Sequence, residues 1–287
     1  MTETRQPASP ESEPKPPGDG GAELDREETK KADKLSASSA RIVHQAIRKE
    51  GEEELERPVS ALAWSGLAAG LSMGFSFIAE ALLQSHLPDT PWRPLISKLG
   101  YSFGFIIVVL GRQQLFTENT LTPILPLMAK PGGRIFGQVA RLWAVVLAAN
   151  LLGALAIAGV IAGTPVFEPE IHTTFAQIGL HAIRGTFGET LLRGIFAGWL
   201  IALMVWLLPL AEAARLWVII LLTYLVSLGG FAHVIAGSID VLYLVFTGQA
   251  TAGDYLGGFL APALIGNILG GVTLVAAVNH AQVVAGK

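Results

Sequence analysis

The sequence contains no cysteine in 287 residues. Disulfides, iron–sulfur clusters and thiol chemistry are thereby excluded. Charge is also scarce: 15% of residues are Asp, Glu, Lys or Arg, against about 25% in an ordinary soluble domain. The shortage is uneven. Residues 1–57 hold 10 of the 20 Lys and Arg and 14 of the 23 Asp and Glu, and the other 230 residues share 19 charges. A net charge of −3 supplies no basic surface for nucleic acid. The first 35 residues lack an apolar run, so no cleavable signal peptide is expected. There is no nucleophile–base set, metal cluster or phosphate loop, so neither an enzymatic activity nor a cofactor is expected.

The low charge is matched by apolar runs. The chain is 51% hydrophobic, with a mean hydropathy of +0.50. No Asp, Glu, Lys or Arg occurs in 58–79, 99–111, 142–167, 194–211, 216–239, 241–253 or 255–286. About 20 apolar residues make a helix long enough to cross a bilayer. These stretches predict an all-α polytopic membrane protein with six transmembrane helices, near 59–85, 98–128, 134–163, 188–209, 216–248 and 255–280. The membrane transport domain is expected over 58–287. Residues 1–35, rich in Pro, Glu, Lys, Ser and Gly, read as a disordered cytoplasmic tail. Residues 36–57 place Ile42, Val43, Ala46 and Ile47 at helical spacing, which predicts an amphipathic cytoplasmic helix.

Two predicted spans are interrupted. The second carries Arg112, Gln113, Gln114, Glu118 and Asn119 in its middle; the fifth carries Gly229, Gly230, His233 and Gly237. Polar or glycine-rich backbone at membrane depth is tolerated only where it is buried in protein or lines a cavity. The halves also match. NLLGA at 150–154 and NILGG at 267–271 are offset by 117, and Thr117 and His233 by 116. Three spans followed by three more of opposite orientation make a 3+3 inverted repeat, and broken segments at matching positions point to the transport site. The loop between spans two and three carries Lys130, Arg134 and Arg141 and no acid. Both termini are therefore expected in the cytoplasm.

LFTENT at 115–120, FAHVIAGS at 231–238 and GNILGG at 266–271 resemble three signatures of the formate/nitrite transporter family. GEEELERP followed by WSGLAAGLSMGF at 64–75 is similar to its YfdC-type branch. The resemblance covers about residues 40–280. It implies an aquaporin-like fold with broken second and fifth helices and one pore per subunit. It also implies a homopentamer in the bacterial inner membrane and passage of small monovalent anions such as formate, nitrite, lactate or hydrosulfide. Leu115, Phe116 and Thr117 match the loop that narrows the pore, His233 the central histidine, and Asn150 and Asn267 the asparagines of the third and sixth spans. The chain departs from the family pattern at Ala232, Gly237 and Gly198, where glutamate, asparagine and asparagine are usual.

The residues by themselves point to the same place. An ionisable side chain inside a membrane is a functional-site hypothesis by default. His233 can serve a permeating anion as proton donor or hydrogen-bond partner, or can cap freed carbonyls. Leu115 and Phe116 are a constriction or plain core. Thr117, Asn150 and Asn267 line the path or satisfy broken backbone, and the backbone role is favoured for the asparagines. Glu118 places an acid beside an anion path, with Arg112 and Asp240 as candidate partners for intramembrane charge. The function expected is a channel or transporter for small monovalent anions, proton-linked through the central histidine. The alternatives are a pore for a small neutral solute, although no NPA motif is present, and a membrane scaffold without transport.

Overall fold

The computed structural model describes residues 26–278 and 281–282, and the regular structure among them is all helical. α1 (Arg26–Glu56) is one helix of 31 residues. The amphipathic segment expected over 36–57 falls within it except for Arg57. Of the tail expected over 1–35, residues 1–25 lie outside the described residues, and 26–35 belong to α1. The run REETKKADKL is mostly helix-forming residues and sets Glu27 four positions before Lys31, which favours helix over coil. The body of the fold begins at Ala40.

Pro58 precedes α2 (Val59–Ser72), which runs through a single turn residue, Met73, into α3 (Gly74–His86). α4 (Arg93–Ser97) and a tight turn at Lys98–Tyr101 lead into α5 (Ser102–Leu110). Helix resumes at α6 (Ile124–Ala129), and α7 (Gly133–Gly163) follows after the non-helical residues 130–132. α8 (Pro169–Ala182) precedes α9 (Phe187–Leu207). α9 opens on a capping box: Glu189 N–H donates to Thr186 Oγ1 at 3.3 Å, and Thr186 N–H donates to Glu189 Oε2 at 2.6 Å. α10 (Arg215–Leu228) and α11 (Ala236–Phe246) are separated by seven residues. The last segment is π-helical at Asp254–Leu260, α-helical in α12 (Ala261–Leu269) and π-helical again at Gly270–Ala277.

Among the described residues, five segments are long and apolar enough to cross a membrane: Val59–His86, Arg93–Leu110, Gly133–Gly163, Phe187–Leu210 and Asp254–Thr273. α10 and α11 are apolar but shorter. The stretches expected as spans at 98–128 and 216–248 are thus interrupted helices. Both interruptions end their first helix in the same way. Gly111, Arg112 and Gln113 donate their N–H groups to the carbonyls of Ile107, Val109 and Val108 at 2.8, 3.2 and 3.0 Å. Gly229, Gly230 and Phe231 donate to Leu225, Ser227 and Val226 at 3.0, 3.1 and 3.0 Å. The middle residue has a positive φ in each case, 50° at Arg112 and 62° at Gly230. This is the left-handed cap that closes a helix end and satisfies its last carbonyls. Glycine adopts it freely, whereas at Arg112 it costs about 1 kcal/mol or more.

α2 packs along α7, and α9 packs along α12. Lipid gives two helices no hydrophobic reason to associate, so close van der Waals approach through small residues must hold them. A Cβ on Gly70 would lie 2.2 Å from the Asn150 carbonyl oxygen, and one on Gly198 would lie 2.3 Å from that of Asn267. Large apolar side chains such as Trp64, Leu152, Trp217 and Leu221 point outward. Gly70→Val or Gly198→Val is expected to cost about 1–3 kcal/mol through overpacking. Gly137→Ala, where nothing lies within 4 Å, is expected to be neutral. Thermal melting in detergent reads the difference, and equal melting of all three variants would refute the close-packed seam.

Candidate functional site at the two helix breaks

Each break is bracketed by one asparagine. Asn150, on α7, accepts a hydrogen bond from Phe116 N–H at 2.9 Å and donates to the carbonyls of Gly66 (2.7 Å) and Gln114 (2.9 Å). Asn267, on α12, accepts from Val234 N–H at 2.9 Å and donates to the carbonyls of Gly194 (2.9 Å) and Ala232 (2.8 Å). Both side chains are fully buried. Each amide satisfies two groups of an interrupted backbone and ties them to the helix on its other side. An unpaired buried donor or acceptor would cost about 1–3 kcal/mol.

The two brackets bring Thr117 and His233 together. Thr117 Oγ1 lies 2.7 Å from His233 Nε2, and both residues are buried. The other ring nitrogen, Nδ1, accepts from Ala236 N–H at 3.2 Å. That bond assigns the ring hydrogen to Nε2, which donates to Thr117 Oγ1. The threonine hydroxyl keeps its own hydrogen and can donate it onward. Phe105 meets the imidazole edge-on, with ring centroids 5.0 Å apart. Leu115 and Phe116 are buried beside the pair, and Phe116 packs edge-on against Trp143 at 5.8 Å.

A cavity lies on each side. The larger, about 510 Å³, is walled by Glu50 and Glu54 of α1, by Arg112, Gln114 and Glu118 of the first break, and by Arg215. The smaller, about 60 Å³, includes Glu80, Lys98, Tyr101, His181, His233 and Asp240 in its wall. Glu118 therefore faces the larger cavity, and its Oε1 is buried with no hydrogen-bond partner among the described residues. It does not meet Asp240, which belongs to the other cavity.

α1 is fastened to the first break through Glu54. Its Oε1 accepts from Gln114 Nε2 at 3.0 Å and its Oε2 from Thr122 Oγ1 at 2.5 Å. Burial pushes the Glu54 carboxyl up to about 7, against these two hydrogen bonds, which favour the charged form. Gly51 lets the helix lie on the chain below it, since a Cβ there would sit 2.0 Å from the Thr122 carbonyl oxygen. Arg141 Nη2 donates to the carbonyls of Leu55 (2.7 Å) and Arg57 (3.3 Å).

The family model of the formate/nitrite transporter matches residues 41–281. The chain belongs to the formate/nitrite transporter family. It is 44% identical to the inner membrane protein YfdC of Escherichia coli K12, over 91% of this chain and 86% of that one. It is 30% identical to the formate channel FocA of Haemophilus influenzae, over 66% of each. Among solved structures, it is similar to a pentameric formate channel with formate bound. The TM-score is 0.66 at 24% identity, covering 84% of this chain and 99% of that one. An FNT family ion channel matches with a TM-score of 0.70 at 19% identity, covering 85% and 98%. At those identities the structural likeness speaks for the fold, which this chain shares with formate/nitrite transporter structures.

Three features of the site were not singled out in the sequence. Phe105 sits in an unbroken apolar run and carries no local signal. Lys98 and Glu80 form a buried ion pair at 2.5 Å. The only hint was that each charge stands at the edge of a charge-free stretch. The tie between Glu54 and the first break joins residues 60 or more apart in the chain.

Two predictions follow from this geometry. Asn150→Ala and Asn267→Ala each leave two buried groups of an interrupted backbone without their partner, since the Gly66 and Gly194 carbonyls stay within the ladders of α2 and α9. Each is expected to cost at least about 2 kcal/mol by thermal melting. Melting unchanged from wild type would show that the brackets are dispensable. The second concerns Glu54, whose carboxyl is raised above its ordinary value near 4.5. A raised carboxyl favours the docked helix fully below that value, and the gain is lost as pH rises through about 7. Hydrogen exchange in residues 40–56, corrected for intrinsic rates, is expected to quicken across this window. Glu54→Gln should abolish the change, and persistence of the same pH dependence in that variant would sink the assignment.

Proposed function

We propose that the chain is a channel or transporter, rather than an enzyme, for small monovalent anions of the formate and nitrite kind, with its selective barrier at Thr117 and His233. The observation that carries this reading is the 2.7 Å contact between those side chains. It joins two interrupted helices, with a cavity on either side. Family membership supports the substrate class, as do relatives named formate channels.

The membrane domain, residues 58–287, has six spans in this reading. α2 with α3, α4 to α6, α7, α9, α10 with α11, and the 254–277 segment cross in turn. The second and fifth are broken, and the halves form an aquaporin-like 3+3 inverted repeat. The paired left-handed helix ends and the paired asparagine brackets support the repeat. Lys130, Arg134 and Arg141 favour a cytoplasmic α6–α7 connection, and with it cytoplasmic termini, in an inner membrane. α1 then stands on the cytoplasmic side of the larger cavity. The pentamer of a related formate channel supports a homopentamer here, with lipid around it.

His233 acts as a hydrogen-bond donor that polarises the Thr117 hydroxyl. That hydroxyl donates to an anion at the barrier, while Leu115 and Phe116 keep the narrow part apolar. Asn150 and Asn267 hold the breaks in place, and Glu118 adds an acid to the larger cavity beside Glu50, Glu54, Arg112 and Arg215. A hydrogen bond in so dry a setting is worth more than one in water.

Proteoliposomes offered formate, nitrite, acetate, lactate, hydrosulfide, water and glycerol separate the readings. Formate or nitrite is expected to move well above the rate in empty vesicles. Thr117→Val leaves the imidazole N–H unpaired and is expected to slow that flux by about tenfold or more. Movement of glycerol or water without any anion would replace this function with a neutral-solute pore. Movement of nothing would favour a scaffold.

A further inference from the structure

The smaller cavity holds more charge than a passage needs. Lys98 Nζ lies 2.5 Å from Glu80 Oε1, and Ser227 Oγ donates to Glu80 Oε2 at 3.1 Å. Glu80 is 2% exposed, so the single ammonium of the chamber is committed to it. Asp240 shares the same wall. Its carboxyl makes no hydrogen bond or ion pair among the described residues. Two carboxyls therefore face one counter-charge at membrane depth, where an uncompensated ion is expensive.

Asp240 is placed to act on the cavity's contents. His233, Gly237 and Asp240 stand at i, i+4 and i+7, and Gly237 N–H donates to the His233 carbonyl at 2.9 Å. The helical ladder thus puts all three on one face, with His233 and Asp240 about 10 Å apart along the axis. A Cβ on Gly237 would lie 2.2 Å from Phe259 Cζ, so the Phe259 ring fills the space between them. Imidazole and carboxyl communicate only through what occupies the cavity. His233 has no hydrogen to send there, because both ring nitrogens are engaged with Thr117 and Ala236.

Of the two carboxyls in this wall, Asp240 is the one that makes no hydrogen bond or ion pair among the described residues. α3 brings Glu80, the 98–101 turn brings Lys98 and Tyr101, and α8 brings His181. A turn further along, His172 Nδ1 pairs with the Tyr243 hydroxyl at 3.0 Å. From the 254–260 segment, the Tyr255 hydroxyl donates to Ser238 Oγ at 3.2 Å, and Asp254 accepts from Thr251. α7 has only Arg134 and Arg141 as ionisable residues, both within its first three turns.

We propose that Asp240 is the proton-exchanging residue of the transport path, a reading that rests on the anion-transport function above. One proton passes from the Asp240 carboxyl to an oxygen of the anion, formate becoming formic acid, and the aspartate left ionised regains a proton from hydronium in the solution on the α8 side, so that one proton moves with each anion. No other reactant is consumed. The solute must then be the conjugate base of a weak acid, and small, since about 60 Å³ admits only a few heavy atoms. Nitrate, whose conjugate acid is strong, cannot take the proton.

The test uses the full-length protein in proteoliposomes with a trapped pH dye, supplied with formate or nitrate at a series of external pH values. Wild type is expected to carry protons inward with formate, its flux changing up to about tenfold per pH unit, as for one titrating proton. Nitrate is expected to move poorly and without protons. Asp240→Asn should flatten the formate profile to within about twofold over the same range and uncouple proton uptake. Asp240→Glu should restore both. A merely structural role would change the rate and leave the profile intact. Wild-type proton coupling and pH profile retained by Asp240→Asn overturn the proposal while the transport function stands. Absence of any anion flux in wild type overturns both.

Discussion

Everything in this structure depends on pairing the peptide groups that two helix breaks set free. Inside a membrane no water is available to them, and each unpaired group is costly. Asn150 and Asn267 solve the problem with one side chain apiece, through three hydrogen bonds each. The solution imposes a geometry. Each amide reaches a carbonyl on the adjoining helix, at Gly66 or Gly194, so α7 must lie against α2 and α12 against α9. The glycines at 70 and 198 make those approaches physically available. Thr117 and His233 meet only because both breaks are anchored from behind in this way.

Charge is handled by the same logic. Lys98 and Glu80 neutralise each other at 2.5 Å, and Glu54 is bound by two donors from the first break. Near the barrier the fixed side chains are neutral: Leu115, Phe116, Phe105, Thr117 and a histidine whose tautomer is set by a backbone N–H. The acids face the cavities, Glu50, Glu54 and Glu118 the larger one and Glu80 and Asp240 the smaller. An anion path lined by carboxyls at its ends and by neutral donors at its centre selects against charge everywhere except where the donors are. This arrangement suits a solute that changes its protonation state on the way.

Much of this was legible in the sequence, because the membrane dictates it. Charge-free runs marked the apolar helices, five of which are long enough to cross a membrane among the described residues, and the polar residues at 112–119 and 229–237 marked the interruptions. The equivalence of Asn150 and Asn267 was visible in the offset of 117. The pairing of Thr117 with His233, read as a repeat at offset 116, has a different origin. By its backbone bonds the second break repeats the first at an offset of 118: Gln114 with Ala232, and Phe116 with Val234. His233 thus corresponds to Leu115, and Thr117 to Ile235. The two polar side chains touch because the breaks face each other, not because they are counterparts. No reading of a linear pattern shows that crossing. The ion pair of Lys98 with Glu80 and the longer α1 were hidden for a related reason: one depends on a fold between two helices, the other on the helix propensity of a polar run.

The correspondence also explains how near-identical backbone frames serve unequal tasks. At the left-handed cap the first half has Arg112 and the second Gly230. Three residues on, the first half has Leu115 and the second His233. The first half therefore spends its polar side chains on the larger cavity, where Arg112, Gln114 and Glu118 meet α1, and presents an apolar residue at the centre. The second half does the reverse, with small residues around the break and its one polar ring at the centre. A symmetric assignment would place two histidines or two leucines there. Two leucines would give a passing anion no donor. Two imidazoles would compete for hydrogen bonds at a site that can satisfy one. One donor facing one hydroxyl leaves a single hydrogen to offer, and in surroundings this dry that hydrogen is the strongest polar contact the proposed barrier holds out to a solute.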